Sequence, residues 1–190
     1  MKRKIMISVV LCGLVLSATM IGKAQMQGQE VVPEDSTGLP DKTWKRGLAM
    51  APVPLNLAGK DRKTVGEGSY LVNIFCSSCH TSPEYVNGGN PFFGQPEMIN
   101  TVNYLAGGAQ FGPFRSANIT PDSQTGLPAN LTFEQFVEVM RTGRDFKNRH
   151  PQFGPLLQVM PWPSFAKFTD DDLEAIYEYL RAVPHAEPAQ

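Results

Sequence analysis

The sequence predicts an all-α domain of few helices joined by long loops, and three observations carry that prediction. Apolar stripes of helical period stand near both ends of a span from residue 61 to 184, and a third stripe lies between them, opened by a capping pair and closed by a glycine. Across the whole chain, 16 prolines and 17 glycines in 190 residues leave little room for other long regular runs. Hydrophobic residues at 42% and charged residues at 18% are the proportions of a globular chain, neither an acidic disordered one nor a fibre. The length suits one domain with flanking segments.

In chain order, Lys2, Arg3 and Lys4 precede an apolar run from Ile5 to Leu16, and Gly22 and Ala24 offer small residues before Gln25. This succession predicts a secretory signal over residues 1–24. An uncleaved anchor is the alternative, since weakly polar sequence continues to Ile21 and approaches the roughly 18 residues of a span. Either form exports the rest of the chain, to the periplasm or to a tethered position facing it. Cys12 lies inside the apolar run behind Leu11 and belongs to the signal. Residues 25–60, with Val32-Pro33, Gly38-Leu39-Pro40 and Ala51-Pro52-Val53-Pro54, read as a proline-rich linker, in which Trp44 and Leu48 are the candidates for packing back onto the domain.

The domain itself is expected over 61–184. Val65, Ser69, Tyr70, Leu71 and Ile74 form a helical stripe running into Phe75 and Cys76, and Gly66 and Gly68 within it point to a close helix contact. Residues 81–130 are loop-dominated, with a short helix expected over Glu97–Leu105. Thr132 and Gln135 form a capping box, after which Phe133, Phe136, Val137 and Met140 share one face until Gly143 stops the helix. The last helix opens at Thr169, with Asp170, Asp171 and Asp172 at the positive end of its dipole. Leu173, Ile176, Tyr177 and Leu180 are its buried stripe, Pro184 ends it, and 185–190 is a tail.

The chemistry concentrates in Cys76-Ser77-Ser78-Cys79-His80. Two residues between the cysteines let one helical turn present both sulfurs to the two vinyl groups of a haem, with the adjacent histidine beneath the iron. A thioredoxin-like dithiol expects a strand before the pair, where this sequence has a helix. A zinc site needs four near ligands, whereas His150 and His185 stand far apart without paired spacing. A disulfide across two residues would be strained and would close a trivial loop. The expectation is therefore one covalently attached haem c, with His80 as an iron ligand whose other ring nitrogen donates to a backbone carbonyl. Candidates for the second iron ligand are Met98, Met140, Met160, His150 and His185. Met140 falls on the core face of a helix. Met160, followed by Pro161-Trp162-Pro163 in a stretch expected to be rigid and non-helical, is the expected ligand, with Met98 and His150 as alternatives. Trp162 is a candidate for packing on the porphyrin edge or in the core.

Together these residues resemble the class I cytochrome c family, whose pattern is an N-terminal helix ending in the haem motif, a distal Met-Pro loop and a C-terminal helix crossing the first. Gly68-Ser69-Tyr70-Leu71-Val72 and Ile176-Tyr177-Glu178-Tyr179-Leu180-Arg181 are similar to the two halves of that crossing. Leu105-Ala106-Gly107-Gly108, Asn118-Ile119-Thr120-Pro121-Asp122, Thr125-Gly126-Leu127, Arg141-Thr142-Gly143 and Met160-Pro161 resemble the monohaem cytochrome domains found in, or associated with, exported alcohol and aldehyde dehydrogenase systems. Pro128 and Leu131 depart from that pattern. The resemblance implies a class I cytochrome c fold wrapped around one haem, with the middle region packed about it and Asn118 and Arg141 as candidates for bonding the haem propionates.

The function implied is that of a one-electron carrier with a redox protein as donor and another as acceptor, a dehydrogenase or a terminal oxidase among them, and with no bond chemistry of its own. The alternative is a haem subunit or sensor whose open iron site takes a small ligand. Loss of Lys2, Arg3, Lys4 and Lys23 with the signal takes the formal net charge from −1 to −5, which does not suit a nucleic-acid partner. Against that acidity, Arg141, Arg144, Lys147 and Arg149 gather around a single Asp145, a candidate rim for steering an acidic partner.

Overall fold

Two helices that open and close the domain cross each other and carry much of its core. The computed structural model describes residues 42–189, so the signal or anchor expected over 1–24 and the first part of the linker lie outside the described residues. Six α-helices occur among the described residues: α1 (Thr43–Met50), α2 (Arg62–Phe75), α3 (Ser77–His80), α4 (Phe133–Thr142), α5 (Trp162–Phe165) and α6 (Asp170–Ala182). Besides isolated bridges, the described residues form one two-residue antiparallel pair, β1 (Gln110–Phe111) with β2 (Phe114–Arg115). None of these helices is long and apolar enough to cross a membrane.

Helix α2 starts where the Asp61 side chain accepts from the Thr64 N–H at 2.8 Å, and these bonds hold the Asp61 carboxyl below its usual range. Val65, Leu71 and Val72 are its buried aliphatics; Ile74, expected in the stripe, is 46% exposed, and Val72 takes the inner place. Helix α6 starts with a full capping box between Thr169 and Asp172 and buries Leu173, Ile176, Tyr177, Tyr179 and Leu180. Fully burying one such aliphatic side chain stabilises the fold by about 1.5–3 kcal/mol before conformational entropy is subtracted. Gly68 explains how the two backbones come so near. A Cβ there would lie 1.8 Å from the Ala175 carbonyl oxygen and 2.9 Å from Tyr179 Cβ. At the same crossing the buried Tyr104 hydroxyl donates to Asn73 Oδ1 at 2.8 Å and accepts from the Tyr179 hydroxyl at 3.0 Å, so neither phenol is left unsatisfied.

The proline-rich stretch behaves differently from a linker over its second half. Helix α1 packs on α2, with Gly47 so close to Gly66 that a Cβ would lie 1.8 Å from the Gly66 carbonyl oxygen, and Ser69 Oγ donates to the Gly47 carbonyl at 2.7 Å. Leu48 reaches the core, Val53 is buried, and the Asn56 N–H bonds the Ala182 carbonyl at 2.8 Å. The prolines stand after the helix, in extended chain that suits them.

Two further expectations are corrected. No helix forms over 97–105, because the Asn100 side chain accepts from the Val102 and Asn103 N–H groups and donates to the Pro83 carbonyl, and Leu105 sits at φ +60. The stretch after Met160 is helical for one turn, α5, since Pro163 falls in the first turn where its missing N–H has no helical partner to lose. Helix α4 follows its sequence signals: Thr132 and Gln135 make the capping box and Gly143 ends it at φ +72.

Candidate functional site

The site begins where α2 ends. Cys76 caps α2, its N–H bonding the Val72 carbonyl at 2.9 Å, and the single turn α3 then carries Cys79 and His80. Ser77 Oγ bonds back to the Asn73 carbonyl at 2.9 Å and holds that turn on the end of α2. Cys76, Cys79 and His80 line one cavity of about 330 Å³, within the roughly 300–1,000 Å³ range of small-molecule sites.

His80 is fixed in one tautomer. Its Nδ1 stands 2.8 Å from the Ala117 carbonyl oxygen, which can only accept, so Nδ1 carries the proton and Nε2 keeps its lone pair. Burial lowers the His80 pKa below its ordinary value, with the Ala117 bond working the other way, and the ring is neutral at pH 7. The carbonyl is itself held by its surroundings. Gly107 donates to the His80 carbonyl at 2.6 Å, Gly108 donates to the Ser116 carbonyl at 3.1 Å, and a Cβ on Gly107 would lie 2.4 Å from the Ala117 carbonyl carbon.

Cys76 and Cys79 are unpaired, and desolvation, with Cys79 adding to it, pushes the Cys76 thiol up to about 12. Among the described residues no three His, Cys, Asp or Glu side chains gather in one place.

The rest of the lining is mostly apolar: Phe75, Phe114, Phe136, Met140, Leu157 and Phe165 all face the cavity. Pro128 and Leu131, the two departures from the resemblance, line it as well. Of the iron-ligand candidates, Met160 and His150 line the cavity, as does the buried Met140 on α4; Met98 and His185 do not. Met98 packs over Gly89, and His185 bonds the Pro121 carbonyl at 2.7 Å and Glu187 at 2.8 Å. Trp162 lies outside the lining, over Gly143, where a Cβ would be 2.4 Å from its ring; together with the Leu157 N–H on the Gly143 carbonyl at 2.7 Å, this fastens the Met160 loop to the end of α4.

Asn118 and Arg141 are not brought to the cavity. Asn118 Nδ2 donates to the Ala186 carbonyl at 2.7 Å while its Oδ1 accepts from Thr120, and Arg141 ties α4 to the start of α6 through the Ala166 carbonyl at 2.6 Å and Asp170 at 2.7 Å. The cations that do line it are Arg115, Arg144, Lys147 and Arg149, with Asp145 among them. Burial first, and then the like charge of Arg149, hold Lys147 below its ordinary range, which an anion beside it would relieve. The basic run was visible in the sequence, but as a docking rim; nothing in the sequence pointed to Arg115. Two thiols on adjoining turns, a neutral imidazole with its lone pair free, a thioether, apolar walls and a cationic margin form a donor set that fits haem, whose ring is apolar and whose propionates are anionic.

No profile of a known protein family matches the chain. Among curated proteins it is 30% identical over 145 residues to the cytochrome c subunit of alcohol dehydrogenase (quinone) from Gluconobacter oxydans, covering 72% of this chain and 26% of that subunit. It is 34% identical over 117 residues to the gluconate 2-dehydrogenase cytochrome c subunit of Pantoea cypripedii, 61% of this chain and 22% of the relative. With the fructose dehydrogenase cytochrome subunit of Gluconobacter japonicus it shares 30% identity over 128 residues, 65% and 22%. The chain thus spans about a quarter of the length of these three relatives.

Proposed function

Because the chain belongs to the c-type cytochrome family, we propose that it is an exported monohaem carrier that passes single electrons from a dehydrogenase to a redox acceptor and performs no bond chemistry itself. The observation that carries this reading is the convergence of Cys76, Cys79, His80 and Met160 on one apolar cavity, with the His80 tautomer already set. Bound haem would supply a reversible one-electron couple. Cys76 and Cys79 would each add their S–H across one vinyl group, forming two thioethers with no proton or electron left over. His80 would offer Nε2 to the iron while the Ala117 carbonyl keeps the ring oriented and electron-rich. Met160 would offer its thioether, with its loop steadied by Trp162 on Gly143. Two protein ligands would leave the iron no open position, and that favours transfer over the binding of a small ligand. Arg144, Lys147 and Arg149 would neutralise the propionates, the role the resemblance had given to Asn118 and Arg141.

The dehydrogenase partner rests on the names of the relatives, all of which are subunits of dehydrogenases. Mass spectrometry of the mature protein tests the cofactor: wild type should carry one covalently added haem, and Cys76→Ala or Cys79→Ala should lower or abolish that yield. A wild-type mass without haem would overturn the proposal.

A further inference from the structure

We propose that the C-terminal segment 185–189 is a positioning strap for His80, acting through the loop that holds the Ala117 carbonyl; this rests on the function proposed above. The segment forms no helix or strand, yet it spans one short stretch of loop with a dense set of specific bonds. Asn103 Nδ2 donates to the Glu187 carbonyl at 2.8 Å, Asn118 Nδ2 to the Ala186 carbonyl at 2.7 Å, and an Arg115 guanidinium N–H to the Ala189 carbonyl at 3.2 Å. The Ala186 N–H meets Thr120 Oγ1 at 3.3 Å, and the His185 ring bonds the Pro121 carbonyl at 2.7 Å.

All five partners lie between residues 103 and 121, and three of them, Asn118, Thr120 and Pro121, follow directly on Ala117. On its other side the same loop is tied inward, by the Ile119 N–H on the Leu105 carbonyl at 3.0 Å and by the His80 ring on Ala117. The loop is therefore clamped between the tail and the histidine it orients. Residues 116–119 form no helix or strand, so the placement of the Ala117 carbonyl depends on these single-point bonds. Arg115, a cation of the cavity margin, is pinned by the same tail.

The test uses mature holoprotein in three forms: wild type, a chain ending at Pro184, and full-length Thr120→Val, which removes one anchor without shortening the chain. Covalent haem is read by mass, exchange of the His80 Nδ1 proton with deuterium by proton NMR of the oxidised protein, and the midpoint potential by titration. Both variants should keep haem. The Nδ1 proton should exchange about tenfold faster in the shortened form, as expected when local opening loses several bonds, and to a smaller degree in Thr120→Val. The midpoint should rise, because a ring that donates less firmly to Ala117 is a poorer electron donor to ferric iron. Exchange rates and midpoints equal to wild type in both variants would overturn the strap. If the shortened chain fails to accumulate, Thr120→Val decides alone by the same readouts. A wild-type protein without haem would instead overturn the proposed function, and the mass measurement separates that outcome from failure of the strap.

Discussion

The crossing of α2 and α6 and the cavity wall built from residues 105–121 and 144–161 hold themselves together by different means. At the crossing, stability comes from buried aliphatic and aromatic side chains and from backbones brought within reach by Gly68. The wall has little regular structure and is fastened by individual bonds, such as Leu157 to Gly143, Asp145 to Pro155 and Ile119 to Leu105. The difference implies a division of labour. Changes at the crossing should cost stability and leave the site's chemistry alone, whereas changes in the wall should alter the site with little cost to the fold.

The largest effect is expected from Gly68→Val. Its Cβ would stand 1.8 Å from a carbonyl oxygen of α6, an overlap that only separation of the helices relieves. Denaturant unfolding should show a loss of roughly 1–3 kcal/mol, and unchanged stability would break the comparison at its firmest point. Thr132→Ala should cost about 1 kcal/mol, because it removes the capping bond to Gln135 at the start of the helix that joins the two regions. Haem content and midpoint should stay as in wild type; a shifted midpoint would mean that the boundary between frame and site lies elsewhere.

The smallest effect concerns pH. His185 faces the Pro121 carbonyl and Glu187, with Asp122 nearby, and the carbonyl first and the carboxylates after it raise its pKa above 6.5. With the folded value above the unfolded one, the contribution of His185 to holding the tail is complete below about 6.5 and is lost as pH rises through the raised value, while the other bonds of the tail stay. Protection of the Ala186 N–H, corrected for intrinsic exchange, should therefore fall across that window. Protection that stays level would remove His185 from the account of the tail.

Legibility followed the same division. The capping boxes at Thr132 and Thr169 and the glycine stop at Gly143 are local signals, so α4 and α6 could be read to within a residue. Gly68 announced a close crossing, and the nearest atoms on α6 belong to the Ala175 backbone and Tyr179 Cβ. Helix α1 was illegible because its reason to exist is Gly47 against Gly66, a tertiary fit with no period of its own. Cys76, Cys79 and His80, contiguous in the chain, and Met160, marked by its prolines, could be nominated for one site from the sequence, and all four line the cavity. The partners of Asn118 and Arg141 could not: the one bonds a carbonyl 68 residues away, the other reaches 25 and 29 residues on, and only the folded chain brings those atoms together.

The most direct test of the central claim is a redox and ligand titration of Met160→Ala beside wild type. The account predicts that the variant keeps its covalent haem and unfolds at nearly the wild-type denaturant concentration, while its midpoint falls and the reduced protein takes up carbon monoxide that wild type refuses. A midpoint and spectrum identical to wild type would contradict it, and would move the second ligand from Met160 to His150, the other half-buried donor lining the cavity.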